Sequence, residues 1–539
     1  MNETPSEAKV YEVQTGKGRN ARPAGLWRAL SGPLARHEYV LTRWLFLRGL
    51  GLVYLFAFGS LGTQILGLVG SRGILPASAY LHSVASSGNP NTFWLVPTLA
   101  WINSSDAALL FLCWGGAALA LLLVLGLLPG PLLALLWLFY LSLANIGQDF
   151  LGFQWDALLL EAGLLAIFFA PMQLWWGVPQ EVRPSRTVLW LLRLLLFRLM
   201  FFSGVVKLAS GDPTWHDLTA LTYHYWTQPL PNPIAWYMNQ IPLPFQEFST
   251  LATLVIEMGA PFLIFGPRRV RLLGAALLVM LQLFIMLTGN FAFFNVLSIV
   301  LCILLLDDTI LVRLISAWPA RTAWLRKRIE KPAERDPRFL LPRRIVTTLL
   351  AVLIVGLTWT QVESSYFSSK NVPAPLYDLA VRLSPFDVVN SYGLFAVMTT
   401  SRPEIVVEGS ADGKEWREYE FRYKPVDVNK APAFVAPHQP RLDWQMWFAA
   451  LSGSADDPSS GDWFSLFMRR LLQGSPDVLG LLGKNPFPAA PPRYIRAQLY
   501  SYTFTRFGTP GGGWWRRESK DVYFPATALD SPGWPPGSP

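Results

Sequence analysis

Long apolar runs constrain this chain more than any other feature of its sequence. Apolar residues make up 52% of its 539 residues and charged residues only 15%, below the charged share of about 25% in an average soluble domain. Several runs approach the ~20 residues that an α-helix needs to cross a ~30 Å hydrocarbon core. The sequence therefore predicts a polytopic α-helical membrane protein with about nine transmembrane helices. The predicted spans are 49–69, 107–128, 131–147, 157–176, 188–208, 249–266, 271–289, 291–306 and 345–361.

The basic residues indicate the orientation of this bundle. Lys and Arg concentrate in the N-terminal segment 1–44, at 183–186, at 268–271 and in the loop 307–344, whereas the loops 70–106, 148–156 and 209–248 are nearly free of them. With nine spans, the basic segments all fall on one side, and an excess of Lys and Arg marks cytoplasmic loops. We therefore predict a cytoplasmic N-terminus, a membrane domain at 45–361 and a luminal or periplasmic C-terminal domain at 362–535. Losing one span would break this pattern, and losing two would preserve it.

The C-terminal domain carries the turn and strand signals of an α+β fold. The pair Asp412 and Gly413, between apolar segments at 405–407 and 419–423, is a strong hairpin signal. A second β region is predicted at 494–507, with short helices before it. Similar hairpins occur in discoidin-like modules, so we predict a β-sandwich-like α+β domain outside the membrane.

Ionisable residues within the predicted spans are costly in a bilayer and therefore informative. At ~1.5 Å per residue, Arg198 and Glu257 lie at similar depths, which predicts an ion pair between them. Lys207 shares the outer end of adjacent helices with Asp156 and Glu161. This intramembrane polar cluster either holds helices together or forms a polar cavity that accepts a ligand, and charges at span ends can also reach the interface. Its predicted members are Asp149, Asp156, Glu161, Arg198, Lys207 and Glu257.

The outer loop at 209–248 is rich in aromatic residues and proline. Its His216 and His224 are eight residues apart, a spacing that fits neither a zincin nor a zinc finger. We therefore predict no metal site and interpret the loop as an interfacial aromatic belt.

The remaining motifs exclude several functional classes. The chain contains no nucleophile motif, phosphate-binding loop or dinucleotide fingerprint, so no catalytic residue and no cofactor are predicted. The net charge of +9 is concentrated in the segments that set membrane topology, and no nucleic-acid-binding motif accompanies it. We predict contact with membrane lipids and no nucleic-acid partner.

A tryptophan-rich helix is the sharpest candidate surface of the C-terminal domain. Asp443 has the chemistry of a helix N-cap, which would place the following aromatic residues on one face. That face is either part of the domain core or a docking surface for a client protein, since contiguous exposed aromatic residues mark contact sites. The candidate client-binding residues are Arg441, Asp443, Trp444, Trp447 and Phe448.

Several motifs in both halves of the chain resemble the lipase maturation factors. In the C-terminal half they are Asn390-Ser391-Tyr392-Gly393, Glu408-Gly409-Ser410, Trp416 with Tyr419-Glu420-Phe421, Lys424-Pro425 and the stretch 437–450. In the bundle they are Phe202, Ser203-Gly204, Lys207-Leu208, Ser210-Gly211-Asp212 and Trp215, with further matches at 145–149, 154–156 and 160–161. The resemblance covers most of residues 45–535.

This resemblance implies a non-enzymatic membrane protein that assists secreted lipases in folding and assembly. In animals such factors reside in the endoplasmic reticulum membrane, and their luminal C-terminal domain is implicated in client binding. The C-terminal domain here lacks cysteine, the chain has no retrieval signal, and its composition is rich in Leu, Ala and Pro. The first two features depart from the animal pattern, and the composition predicts a bacterial relative in a cytoplasmic membrane. The alternative function is that of an intramembrane enzyme or lipid-handling protein that uses a polar cavity in the helix bundle.

Overall fold

Residues 39–171, 184–315, 340–454, 462–509 and 511–531 are described by the computed structural model. They belong to a single unit that begins at Glu38. Several predicted features lie partly outside the described residues. These are most of the N-terminal segment 1–44, the end of the predicted span 157–176 and the centre of the basic loop 307–344.

Helices make up most of the first two thirds of the chain. In the first part they are α1 Val40–Gly62, α2 Ile65–Val69, α3 Ala77–Ser86, α4 Thr92–Leu95, α5 Asp106–Leu125, α6 Pro129–Ile146 and α7 Gln154–Phe169. Next come α8 Arg186–Ala209, α9 Pro213–His216, α10 Ala220–Thr227, α11 Pro233–Met238, α12 Leu243–Leu263, α13 Arg268–Thr288, α14 Phe294–Cys302, α15 Asp308–Ile315 and α16 Leu340–Tyr366. Short 3-10 turns at Leu99–Trp101, Gln148–Phe150 and Ile303–Leu305 connect some of them.

Six of the described helices are long and apolar enough to cross a membrane: α1, α5, α6, α8, α13 and α16. A seventh crossing is possible only if Phe294–Leu305 and Asp308–Leu314, which are bent by 113°, count as one broken span. The predicted count of nine is therefore not confirmed. Helix α7 has 16 residues and a length of ~24 Å, which is short for a ~30 Å core. The bend follows from Asp307, whose side chain accepts a hydrogen bond from the backbone N–H of Ile310 and starts a new helix.

The long helices begin and end where their sequence supplies caps. Ser105 and Ser185 accept a hydrogen bond from a backbone N–H in the first turn of α5 and α8, respectively. Gly126 ends α5 with a φ of 93°, a left-handed conformation that glycine adopts without a steric penalty. These local signals explain why the predicted and observed helices agree closely in this region.

The two ends of the bundle differ in their contacts. At one end, Asp308 accepts hydrogen bonds from the backbone of Val40 and Thr42, and Arg268 pairs with Asp307 at 2.6 Å. The starts of α1, α13 and α15 therefore meet there. At the opposite end of α1, Gln64 donates to the backbone carbonyl of residue 439 at 2.8 Å. The C-terminal domain thus packs on the end of the bundle away from these basic helix starts.

The C-terminal domain contains one four-stranded antiparallel sheet in its described residues. The strands are β1 Pro403–Ser410, β2 Arg417–Glu418, β3 Tyr494–Phe504 and β4 Trp515–Thr527, in the order β2-β1-β3-β4. The predicted hairpin turn is confirmed, because Gly413 has a φ of 74° and Asp412 accepts hydrogen bonds from two following backbone N–H groups. The preceding helical segment is α17 Ala374–Leu383, and α18 Arg441–Ser452, α19 Trp463–Leu472 and α20 Pro476–Leu479 lie between β2 and β3.

Helices, rather than a second sheet, cover this sheet in the described part of the chain. Helix α18 packs against β1, and α19 packs against β3. The β-sandwich-like prediction is therefore wrong, because the segment between β2 and β3 supplies apolar helices in place of a facing sheet. One continuous apolar core joins Leu50 and Trp155 of the bundle to Ile405 and Trp444 of the domain.

Candidate functional site

The charges predicted within the bundle are paired in three separate places. Asp156 pairs with Arg441 at 2.8 Å, and Lys207 pairs with Glu257 at 2.9 Å. Glu161 pairs with Arg198. These six side chains are all buried, and we call them the three buried ion pairs. Of the predicted polar cluster, only Asp149 takes no part, because it is exposed in the turn Gln148–Phe150.

Arg441 reaches from the C-terminal domain into the bundle. Its guanidinium contacts both carboxylate oxygens of Asp156, at 2.8 and 2.9 Å, and donates to the backbone carbonyl of Phe150 at 2.7 Å. Tyr140 donates to the same carboxylate from the neighbouring helix. A buried charge is stable only when it is paired and hydrogen-bonded. Arg441 and Asp156 satisfy both conditions, so they hold the domain on the bundle.

A short segment of the C-terminal domain enters the bundle beside Glu161. The Tyr392 hydroxyl donates to the Glu161 carboxylate at 2.7 Å, and the Asn390 backbone N–H donates to it at 3.1 Å. Arg198, which pairs with Glu161, also donates to the backbone carbonyl of Asn390. We call residues 388–395 the inserted segment. It lies between α7 and α8 and completes the hydrogen bonding of both charges.

Gly393 explains why the inserted segment can approach α8 so closely. A Cβ atom at this position would lie 2.5 Å from Cγ1 of Val206, a distance that no side chain tolerates. The backbone N–H of Gly393 donates to Gln154 at 3.0 Å. The motif Asn390-Ser391-Tyr392-Gly393 therefore supplies hydrogen-bonding groups and the close contact that brings them to Glu161.

The predicted Arg198–Glu257 ion pair is wrong. Depth along the helix axis placed the two residues at one level, but it did not determine the direction in which each side chain points. Arg198 faces α7, whereas Glu257 faces Lys207 on the adjacent side of α8. Gly204 permits this second contact, since a Cβ there would lie 2.6 Å from Met258. Lys207 therefore forms its ion pair with Glu257, and not with Asp156 or Glu161.

The tryptophan-rich helix is mostly an internal interface. Helix α18 begins after Pro440, so the prediction of Asp443 as its N-cap is wrong. The Asp443 carboxylate instead accepts hydrogen bonds from two consecutive backbone N–H groups, at 423 and 424, both at 2.9 Å. Burial raises the pKa of Asp443, and these hydrogen bonds oppose the increase. The carboxylate therefore fastens the loop after β2 to α18.

The indole rings of this helix contact the bundle rather than solvent. Trp444 packs edge-on against Trp155 with ring centroids 4.8 Å apart. Trp447 donates to the backbone carbonyl of Thr227 at 2.9 Å. Only Phe448 of the five candidate client-binding residues is exposed, at 44%. The loop 209–248 is thus a packing partner of the domain, and the buried candidates are closed to a client in this structure.

Comparisons with known proteins agree with this two-part construction. The family model of the lipase maturation factor transmembrane domain matches residues 41–313, and that of the lipase maturation factor C-terminal domain matches residues 388–525. The chain belongs to the lipase maturation factor family. Both matched regions contribute to the contact between the bundle and the C-terminal domain, which we call the junction. Asp156 and Glu161 lie in the first region, and Tyr392 and Arg441 lie in the second.

Individual relatives match over almost the whole chain. Lipase maturation factor 2 of Gallus gallus is 42% identical over 91% of this chain and 82% of its own length. The human protein of that name is 37% identical over 91% of this chain and 83% of its own length. Lipase maturation factor 1 of Bos taurus is 34% identical, covering 93% and 92%. No solved structure matches. These relatives are animal proteins, so the comparisons do not support the predicted bacterial membrane.

The sequence analysis did not predict several residues that join the bundle to the C-terminal domain. Glu404 on β1 forms buried ion pairs with Arg402 at 2.7 Å and with Lys424 at 2.9 Å. Arg402 also donates to the backbone carbonyl of Pro229 in the outer loop at 2.9 Å. Asn290 accepts hydrogen bonds from the backbone at 435 and 436. Asn390 and Tyr392 were visible as motif residues, but nothing in the sequence indicated that they enter the bundle.

No metal-binding group of three or more His, Cys, Asp or Glu side chains occurs within the described residues.

His438 of the C-terminal domain forms a hydrogen bond with the helical bundle. Its Nδ1 lies 2.9 Å from the hydroxyl of Ser60, and that hydroxyl also accepts from the backbone N–H of Gln439. Burial and, to a smaller extent, the nearby charges of Arg422 and Arg441 together lower the pKa of His438 to about 4. A neutral imidazole, which can accept a hydrogen bond from the Ser60 hydroxyl, suits this position.

Acidification should weaken the junction through His438. A folded-state pKa lowered from 6.5 to about 4 contributes stability that is present above pH 6.5 and is lost as the pH falls towards 4. From pH 7.5 to pH 5.5 we expect a loss of about 1 kcal/mol, since the partly exposed ring is screened by solvent. His438→Asn keeps a polar group near Ser60 but cannot titrate. Thermal unfolding of both proteins in detergent at the two pH values measures the difference, and an equal decrease in both would contradict it.

Proposed function

We propose that this protein is a membrane-bound maturation factor that assists secreted lipases in folding and assembly. The observation that carries this proposal is family membership over both regions of the chain, together with relatives named lipase maturation factors. Such a factor binds apolar surface that a folding client exposes transiently and releases the client on assembly. Two of the three buried ion pairs support a holding role, because Arg441 pairs with Asp156 across the two parts, and Glu161 and Arg198 hydrogen-bond the inserted segment.

The proposed location is the endoplasmic reticulum membrane, with a cytoplasmic N-terminus and a luminal C-terminal domain. The basic starts of α13 and α16, at Arg268 and Arg343, support this orientation through the positive-inside rule. The domain packs on the other end of the bundle, beside Gln64. Glycosylation acceptor sites inserted at Gly413 and before residue 39 test the orientation. We expect modification at the first site only, and modification at the second would contradict it.

The proposed client surface is the exposed face of α18. Phe448 and Leu451 are 44% and 40% exposed, and residues three apart lie on the same face of a helix. Phe448 and Leu451 lie one turn beyond the buried Trp444 and Trp447, at the edge of the contact with the bundle. Phe448 is the one predicted client-binding residue whose side chain is exposed in this structure.

Changing this face to polar residues should reduce client maturation without unfolding the protein. We expect Phe448→Ser with Leu451→Ser to decrease secretion of active lipase several-fold, because exposed apolar side chains dominate contact with partners. The assay measures secreted lipase activity in cells that lack their own maturation factor and express this protein. Val522→Ser on β4, where Val522 is 51% exposed, is the matched control and should secrete normally. Equal secretion by both variants at equal protein levels would exclude this face, and no rescue by the unmodified protein would exclude the function.

A further inference from the structure

An apolar cavity of about 630 Å³ lies among α8, α12 and α13 and the inserted segment. Its volume is within the ~300–1,000 Å³ of ordinary ligand sites. The walls consist mostly of apolar side chains from the three helices, such as Leu199, Ile256 and Leu281. Phe395 of the inserted segment closes one side. An apolar pocket of this size is the usual form of a ligand-binding site, so the chemistry of its walls indicates the class of ligand that fits.

The helices α12 and α13 are in close contact where α12 ends and α13 begins. There, a Cβ added to Gly274 would lie 2.9 Å from the Cβ of Leu263. The cavity occupies the other end of this helix pair, where Phe248 near the start of α12 and Phe284 near the end of α13 line it. At this end of the pair the helices carry the bulky rings of Phe248 and Phe284, whereas the opposite end carries Gly274. The larger side chains accompany the wider space between the helices.

The mouth of the cavity opens sideways onto an apolar surface. Phe245, Phe248 and Phe284 line the cavity and are also 65%, 65% and 60% exposed. Next to them on α12, Leu251 and Val255 are 44% and 60% exposed. Helix α13 is long and apolar enough to span a membrane, so a bilayer around it would cover this apolar surface. The mouth would then be continuous with the hydrocarbon of the bilayer.

The two oppositely charged groups in the cavity wall, Lys207 and Glu257, compensate each other. Lys207 and Glu257 line the wall and form an ion pair at 2.9 Å, and Lys207 also donates to the backbone carbonyl of Ser203. The Lys207 ammonium lies 5.3 Å from the ring centroid of Trp215. The pair leaves no net charge facing the cavity, so a charged ligand has no counter-ion there. An uncharged hydrocarbon chain fits both the shape and the chemistry.

We propose that this cavity binds one hydrocarbon chain of a lipid, which enters from the bilayer between α12 and α13. The lipid head remains at the outer membrane surface beside the loop 209–248. A phospholipid and a free fatty acid both supply such a chain. Because Phe395 and Met398 line the cavity, the chain also contacts the C-terminal domain. This site is independent of the client, so it stands or falls separately from the maturation role.

Photo-crosslinking in phospholipid nanodiscs tests the proposal with the full-length protein. One probe is a phosphatidylcholine with a photoactivatable group on its acyl chain, and the other is a free fatty acid with the same group. We expect crosslinks at lining residues such as Ile256 and Leu281. Ala252→Trp fills the cavity and should lose them, whereas Leu251→Trp, one residue away on the exposed face, should keep them. Ser249→Trp at the mouth is a second filling variant in case Ala252→Trp does not fold.

Each outcome of this experiment decides the proposal or the source of the chain. Labelling by phosphatidylcholine alone identifies a bilayer lipid, and labelling by the fatty acid alone identifies a free fatty acid. Equal labelling of lining residues and of the lipid-facing Val255, unchanged in both filling variants, would overturn the proposal. Crosslinking of lining residues to a polypeptide or to a second copy of this chain, in place of either probe, would overturn it as well.

Discussion

Arg441→Met is expected to detach the C-terminal domain from the helical bundle. The substitution preserves most of the side-chain volume but leaves the Asp156 carboxylate buried without its cation. Breaking a buried ion pair by removing one partner costs about 3–5 kcal/mol. This cost is a large part of the ~5–15 kcal/mol that stabilise a typical domain. Thermal unfolding in detergent and trypsin sensitivity of the domain should both reveal the loss.

Two further variants show whether the lost charge pairing is responsible. Adding Asp156→Asn to Arg441→Met removes the unpaired charge, while its amide oxygen can still accept from Tyr140. We expect this double variant to recover more than half of the lost stability. Lys484→Met removes an exposed ion pair with Glu420 in the same domain and should change stability by less than about 0.5 kcal/mol. A double variant no more stable than Arg441→Met would contradict the explanation.

The second large effect is expected at Glu161. Glu161→Gln leaves the buried Arg198 guanidinium without its carboxylate and weakens the hydrogen bond from Tyr392. We expect a loss of about 3–5 kcal/mol for this change as well. Because Tyr392 belongs to the inserted segment, the segment should also become accessible to solvent. Hydrogen exchange across residues 388–395 measures that accessibility.

Double-mutant cycles identify the partner of Arg198. The cycle of Glu161→Gln and Arg198→Gln should give an interaction energy of about 1–3 kcal/mol, because the two side chains are in contact. The cycle of Arg198→Gln and Glu257→Gln should be additive within about 0.5 kcal/mol, because Glu257 pairs with Lys207 instead. Stronger coupling between Arg198 and Glu257 than between Arg198 and Glu161 would contradict the observed geometry.

Local sequence signals predicted most of the secondary structure. Apolar runs gave the approximate positions of the long helices, and Asp412 with Gly413 gave the hairpin of the C-terminal domain. The predicted count of nine spans is not confirmed, since α7 and α12 are not among the candidate crossings and the chain bends sharply at Asp307. Helix α7 is shorter than the apolar run that predicted it, and the bend follows from the N-cap at Asp307, neither of which average hydropathy records.

For the candidate site, the sequence predicted which charged residues are buried in the bundle but not which of them pair with each other. Burial and pairing of Asp156, Glu161 and Arg198 followed from the cost of charge in a membrane. Their partners did not follow, because depth gives the position along a helix axis but not the rotation about it. The apolar ring of Trp444 suits a docking surface and a buried core equally well. Only the fold reveals that Trp155 covers it.

Cutting the chain between the two parts measures directly whether the junction holds them together. A protease site inserted after Lys370, in the exposed turn Ser369–Asn371 that follows α16, separates the bundle from residues 371–539. After cleavage in native membranes, the C-terminal fragment should stay in the membrane pellet with the bundle, and it should be released when Arg441→Met is present. Release of the fragment from the unmodified protein would contradict a junction fastened by buried ion pairs.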